Sequence, residues 1–344
     1  MNPSFTRPVL KLLATASLAL AAQASFAQAD TCKYRGDLEY LYCDENRDMV
    51  ADYPTDPKKF KDPKTIVFTY APVEDPAVYE NAFKPFTNHL AQCTGRKVVF
   101  YQIHSNAAEI EAMRSGRLHV GGFSTGPTAF AVNLAGAIPF AMKGDAKGPR
   151  GYNLVLIVKK TSAFMKPADL KGKKVAHVAP SSNSGHLAPL ALFPNEGLTP
   201  DVDYKVLFSG KHDQSILGVR SGDYEAAAVA SDVYDRMIDR GTIKADDFRV
   251  IFRSQIFPTS SFAIAHDLAP PLREKLKECF FNFKFTPEMT KTFNGDDRFT
   301  PITYKKDWEA VRKVDSVANQ GGFGRDAFTK MQKREEEAAA AKKK

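Results

Sequence analysis

The segments Glu111-Ala112-Met113-Arg114-Ser115-Gly116 and Leu217-Gly218-Val219-Arg220-Ser221-Gly222 are two copies of one pattern. The first leads into Leu118 to Phe123 and then Ser124-Thr125; the second leads into Glu225 to Val229 and then Ser231-Asp232. Each reads as a helix, a glycine stop, a short strand and a polar turn. Strands alternating with helices at this spacing make βαβ units and parallel pairing. Because ligands of open α/β sheets bind beyond the carboxyl ends of strands, two such sheets would present both polar turns to one cleft.

Working outward, the first copy is preceded by an apolar β-rich run from Ile66 to Tyr70 and a helical stretch from Pro76 to about Gln92. A strand from Val98 to Ile103 and a helix from Asn106 to Arg114 follow. After a Gly/Pro-containing connection at 143–151, strands are expected at 154–158, 174–178, 204–208, 225–229 and 248–252, with helices starting at Ser184, Asp213 and Asp232. A third block, with a strand from Phe262 to Ala265 and a helix near Pro271, returns to the first lobe. The expected architecture is α/β and two-lobed, each lobe a mixed, mainly parallel sheet flanked by helices. Residues 65–148 plus 262–330 form lobe one and residues 149–261 lobe two. Residues 28–64, dense in charge and proline, form an N-terminal extension, and 331–344 a Lys/Glu/Ala tail, helical or frayed, without chemistry.

The first 27 residues read as a secretory leader. Arg7 and Lys11 precede an apolar stretch from Leu12 to Ala22, and Ser25 and Ala27 suit a signal-peptidase site; a second cut would start the chain at Asp30. About 11 apolar residues are too few to cross ~30 Å of hydrocarbon. Cys32 follows Ala29-Asp30-Thr31, which lacks a lipoprotein pattern, so a periplasmic protein without a lipid anchor is expected. The remaining chain is ordinary in composition, at 43% hydrophobic and 26% charged residues over all 344, enough for substantial cores. The formal charge of +8 falls to +6 without Arg7 and Lys11, and the basic residues are mixed with acids, so a nucleic-acid footprint is not supported. Four cysteines in an oxidising compartment favour disulfides. Cys32 and Cys43 close a small loop and are the expected pair; Cys93 and Cys279 are left open between a bridge and free thiols. Asp44, Asn46, Asp48 and Asp52 alternate like a calcium loop, but Met49 stands where such loops turn on glycine, so they read as solvated surface.

The strongest chemical signal is Ala179-Pro180-Ser181-Ser182-Asn183-Ser184-Gly185-His186, between a strand and a helix. Hydroxyls, an amide and free backbone N–H groups collect at the positive end of a helix, an oxyanion cradle that goes beyond what one N-cap requires. No Walker lysine follows, so nucleotide hydrolysis is not indicated.

Ser182-Asn183-Ser184-Gly185, followed by Ser209-Gly210-Lys211-His212-Asp213 and Ala226-Ala227-Ala228-Val229-Ala230-Ser231-Asp232, resembles the substrate-binding proteins of phosphate, phosphite and phosphonate ABC importers. Their usual forms are Ser-Thr-Ser-Gly, Ser-Gly-Ser-His-Asp/Glu and an Asp-Ala-Ala run, and Phe123-Ser124-Thr125-Gly126-Pro127 resembles their Gly-Pro turn. The resemblance covers about residues 65 to 285. It implies a hinged periplasmic-binding-protein (Venus flytrap, type II) fold, without catalysis, cofactor or metal, that hands a small oxyanion to a membrane permease as a monomer. Carried over, Ser182, Asn183 and Ser184 hold the oxyanion and His212 donates to it, while Ser124 and Thr125 close from the facing lobe. Tyr70 and Tyr152 are candidates for the pocket wall, with core packing the competing reading. Asp232 would accept from a ligand O–H or amino group, or merely cap its helix. His186 is expected at the rim. An enzyme on this fold would need a nucleophile or metal cluster, and neither is apparent; a periplasmic sensor would use the same cleft.

Overall fold

The computed structural model describes residues 32–71, 73–318 and 322–341; the expected leader lies outside them. In chain order the strands are β1 (Thr65–Tyr70), β2 (Lys97–Phe100), β3 (Val120–Phe123), β4 (Ala137–Asp145), β5 (Gly148–Pro149) and β6 (Gly151–Lys159). There follow β7 (Val175–His177), β8 (Val206–Phe208), β9 (Ala226–Ala230), β10 (Phe248–Pro258), β11 (Ser261–Ala265) and β12 (Arg298–Pro301). They make two sheets, one ordered β12-β4-β11-β3-β1-β2 with β5 on β4, the other β10-β6-β9-β7-β8. Both are mixed. Among the strands of the described residues, parallel pairing is confined to β2-β1-β3 and β8-β7-β9, the parts predicted from the βαβ pattern. The strands at the crossings, β4, β6, β10 and β11, pair antiparallel. The chain passes between the sheets at Arg150, between β5 and β6, and again between Pro258 and Ser261.

The lobe-one core is aromatic because its longest lobe-one helix is strongly one-sided. Asp75 caps Pro76–Thr94, with Pro76 suited to the first turn. Tyr79, Phe83, Phe86 and Leu90 recur on one face, all at most 1% exposed. They meet Phe68, Phe262, Phe280 and Phe299 in a network of tilted and edge-on rings. The Cys93–Cys279 disulfide ties this helix to the Pro270–Asn282 helix, settling the pairing the sequence left open; Cys32–Cys43 is also bridged. In lobe two, β6 and the alanine-rich β9 lie side by side, their apolar residues buried between helices.

The acidic turn of the extension uses its carboxylates on backbone. Asp44 accepts from the Asp48 and Met49 N–H groups, Asp48 from Val50, and Asp52 from Glu45. Among the described residues no group of three or more His, Cys, Asp or Glu could hold a metal ion. Of the two forms expected for the tail, helical or frayed, its described residues take the first. Residues Arg325–Ala341 form one helix through the proposed boundary at 330/331, with Phe328 fully buried and Met331 nearly so.

Candidate functional site

Two helix starts face each other across the crossings. Ser124 precedes the Thr125–Ala135 helix without a side-chain cap, so the N–H groups of Thr125 and Gly126 have no acceptor among the described residues. From lobe two comes the turn Asn183–Leu187, running directly into the Ala188–Leu192 helix. Gly126 is where they touch: a Cβ there would lie 2.2 Å from the Ser181 carbonyl oxygen, so only glycine lets the two backbones approach this closely. Between them lies a cavity of about 50 Å³.

Eight of the nine candidate residues line that cavity: Tyr70, Ser124, Thr125, Tyr152, Ser182, Asn183, His212 and Asp232. Ser184 is not in the lining, but its hydroxyl is buried without a hydrogen-bond partner among the described residues. Ser182 both caps and remains a donor, since its Oγ accepts from the Gly185 N–H at 3.1 Å and keeps its own proton. Asn183 donates to the Tyr152 hydroxyl at 3.1 Å, and burial raises the Tyr152 phenol, so Tyr152 is a neutral donor. His212 has a fixed tautomer: its Nδ1 accepts the Ala230 N–H at 3.1 Å, which places the ring proton on Nε2. Burial lowers its pKa to about 4, so the ring is neutral at pH 7.

Three expectations change in detail. The Thr125 hydroxyl donates to the Pro258 carbonyl at 2.8 Å, so Thr125 offers the cavity its backbone N–H rather than its side-chain proton. Asp232 does not act as a helix cap; its Oδ2 is held by Arg236 at 2.8 Å. Burial pushes that carboxyl up, but Arg236 brings it below the usual range. His186 is not at the rim: it is 2% exposed, and its Nδ1 lies 2.8 Å from His177 Nδ1, with Tyr204 on the far side of His177.

The structure also places residues in the site that sequence reasoning missed. Thr259 and Ser260, on the second crossing, line the cavity, and the Thr259 hydroxyl is buried without a partner among the described residues. Buried Lys143 donates to the Tyr70 hydroxyl at 2.6 Å, and Tyr70 donates onward to Ser260 at 3.1 Å, which puts a positive charge one residue behind the wall. Asn106 lines the cavity from lobe one and donates to Ser181 Oγ across the cleft at 2.8 Å. Glu74 of lobe one, 1% exposed, pairs with Arg236 and Arg240 of lobe two. A local signal existed only for Thr259-Ser260-Ser261, a polar run before a strand.

Facing helix starts, neutral donors and a lysine held one residue back describe a receptor for a compact anion. The family model described as ABC transporter, phosphonate, periplasmic substrate-binding protein matches residues 68–308. The chain belongs to that family. It is therefore similar to substrate-binding components of transporters, which are periplasmic or extracellular. The phosphate-import protein PhnD of Mycolicibacterium smegmatis is 31% identical over 233 residues, 63% of this chain and 71% of that one. The phosphonates-binding periplasmic protein of Escherichia coli is 25% identical over 209 residues, 59% of this chain and 62% of that one. Among solved structures, the fold matches a binding protein component of an ABC phosphonate transporter from Pseudomonas aeruginosa, with TM-score 0.67 and 21% identity over 82% of this chain and 98% of that one. It also matches PhnD1 from Prochlorococcus marinus in complex with methylphosphonate, with TM-score 0.66 and 18% identity over 75% of this chain and 100% of that one. The family match takes in every candidate site residue and both crossings, and leaves the extension and the Arg325–Ala341 helix outside it.

Proposed function

We propose that the interlobe cavity captures a small tetrahedral phosphorus oxyanion, a phosphonate, phosphite or phosphate, for delivery to the permease of an ABC importer. The observation that carries this reading is the set of unengaged donors. The Ser184 and Thr259 hydroxyls and His212 Nε2 have no hydrogen-bond partner among the described residues, and the N–H groups of Thr125 and Gly126 have no backbone acceptor among them. Buried donors without acceptors are costly, and an oxyanion would satisfy several at once. Arg236 occupies one Asp232 oxygen and leaves the other for a ligand O–H, which favours a phosphorus acid that keeps a proton near neutral pH over a sulfonate that does not. The protein acts as a monomer in the periplasm, without catalysis. Calorimetric titration of the purified chain with phosphate, phosphite, methylphosphonate, 2-aminoethylphosphonate and sulfate tests the reading. Saturable binding of at least one phosphorus compound, at least tenfold tighter than sulfate, is expected; heat from none of them, or from sulfate alone, overturns it.

A further inference from the structure

The segments on either side of the family match meet each other. Glu39, in the disulfide-closed loop of the extension, pairs with Arg325 of the last helix at 2.7 Å and with Arg114 of lobe one at 3.2 Å. Arg325 also reaches Glu111 of lobe one at 3.2 Å. Asn133 of lobe one ties the same end down, donating to the Phe323 carbonyl while its own carbonyl accepts from Glu39. Phe323 and Phe328 then pack on Phe130. This end of the helix belongs to lobe one.

Two turns later the helix touches lobe two. Arg334 lies 3.3 Å from His186 Nε2 and 3.4 Å from Asp201, and Glu335 accepts from Ser181 Oγ at 3.2 Å. Ser181 and His186 bracket the cradle residues 182–184, and Ser181 is the same hydroxyl that Asn106 of lobe one grips. Burial at this contact lifts the Glu335 carboxyl to about 7. A rigid helix fixed to lobe one at its start and to the cradle's edge further along cannot keep both attachments while the lobes separate.

We propose that the Arg325–Ala341 helix, seated on the N-terminal extension, is a strap that holds the cleft closed and positions the cradle. Ser181, Arg334 and Glu335 are its positioning residues at the cradle end. The strap lowers the free energy of the closed arrangement through contacts that need no ligand atom, so more of the free protein is in the binding-competent form. Exposed ion pairs such as Arg334–Asp201 contribute little, so the hold rests on the Glu335–Ser181 contact and on the buried Phe328.

The strap's role in ligand capture rests on the cleft being the binding site, but the test is made without ligand and so stands apart from the identity of the oxyanion. Three proteins are compared: the full chain, a chain ending at Gly324, and Arg334→Ala/Glu335→Ala, which keeps Arg325 and Phe328. X-ray scattering and hydrogen exchange are measured on each. A larger radius of gyration in both variants is expected, with exchange at the His186 and Leu187 amides at least tenfold faster. If the truncated chain does not fold, the double variant decides. A double variant with wild-type radius and wild-type exchange, even with a lower melting temperature, would reduce the helix to structural cover and overturn the proposal.

Discussion

Gly126→Ala tests the closed geometry most directly. The added Cβ would stand 2.2 Å from the Ser181 carbonyl oxygen, where ordinary contact begins near 3.4 Å, and it would also press on Asn183 N at 3.2 Å. Backbone lies on both sides, so no rotamer relieves the clash and the lobes must part by about 1.2 Å. The 2.8 Å bond from Asn106 to Ser181 would stretch to about 4 Å, beyond hydrogen-bonding distance. The Thr125 and Gly126 N–H groups retreat equally from an anion seated on lobe two. Losing one charge-assisted hydrogen bond costs roughly 1.5 to 3 kcal/mol, or about a 10- to 150-fold weaker affinity. Folding should not suffer, because alanine is favoured over glycine in a helix by about 1 kcal/mol. The assay is calorimetric titration with whichever phosphorus oxyanion binds the wild type, alongside a thermal melt. An affinity within twofold of wild type in a variant that melts normally would refute the reasoning, since the lobes would not then close onto Gly126.

Two further outcomes are expected. Ser184→Ala and His212→Ala should each weaken oxyanion binding tenfold or more, each removing a donor aimed at a charge; calorimetry with unchanged affinity in both would move the site elsewhere. For pH, burial holds His212 at about 4, below an unfolded value near 6.5, so the stability linked to its neutral form is present above pH 6.5 and is lost as pH falls towards 4. By pH 4.5 the loss amounts to roughly 2 to 3 kcal/mol, read as the growing difference between wild type and His212→Gln in denaturant unfolding; a difference that stays constant from pH 7 to 4.5 would contradict it.

How much of this was legible follows from how local each signal is. The parallel cores β2-β1-β3 and β8-β7-β9 were readable because period and glycine stops lie within about 20 residues of one another. β4 was not. Helix Thr125–Ala135 is buried along its whole length and β4 along all but its last residue, so an apolar helix runs into an apolar strand with only Gly136, at φ 61°, to mark the join. The polar turn at Ser182–Ser184 and the helix start at His212 were readable because a helix start is a local feature. Thr125's hydroxyl was misread because its acceptor, the Pro258 carbonyl, is 133 residues away. Lys143, Asn106 and Glu74 were invisible for the same reason: each matters only through a partner in another part of the chain, reached once the sheets have formed.

The charges around the cleft bear on the proposal that an anion sits beside Asp232. Among the described residues no arginine or lysine lines the cavity, and Lys143 stands behind Tyr70, so an anion would be held by neutral donors and helix starts. Asp232 would repel it unless balanced, and Arg236, 5% exposed, supplies the balance. Arg240, one turn further along the chain, also reaches Glu74. Glu74 completes the set, pairing with both guanidiniums from the opposite lobe, and burial of its carboxyl is outweighed by the two arginines, which hold it below the usual range. A buried charge left without its partner is far more costly than one kept paired. When the lobes part, Glu74 leaves the two arginines while Arg236 keeps Asp232; when they meet, two carboxylates and two guanidiniums neutralise one another at the edge of the cavity. Asp232 keeps Arg236 on its own helix whether the lobes meet or part, so its charge is offset within lobe two, and what closure adds is the pairing of Glu74 with the two guanidiniums.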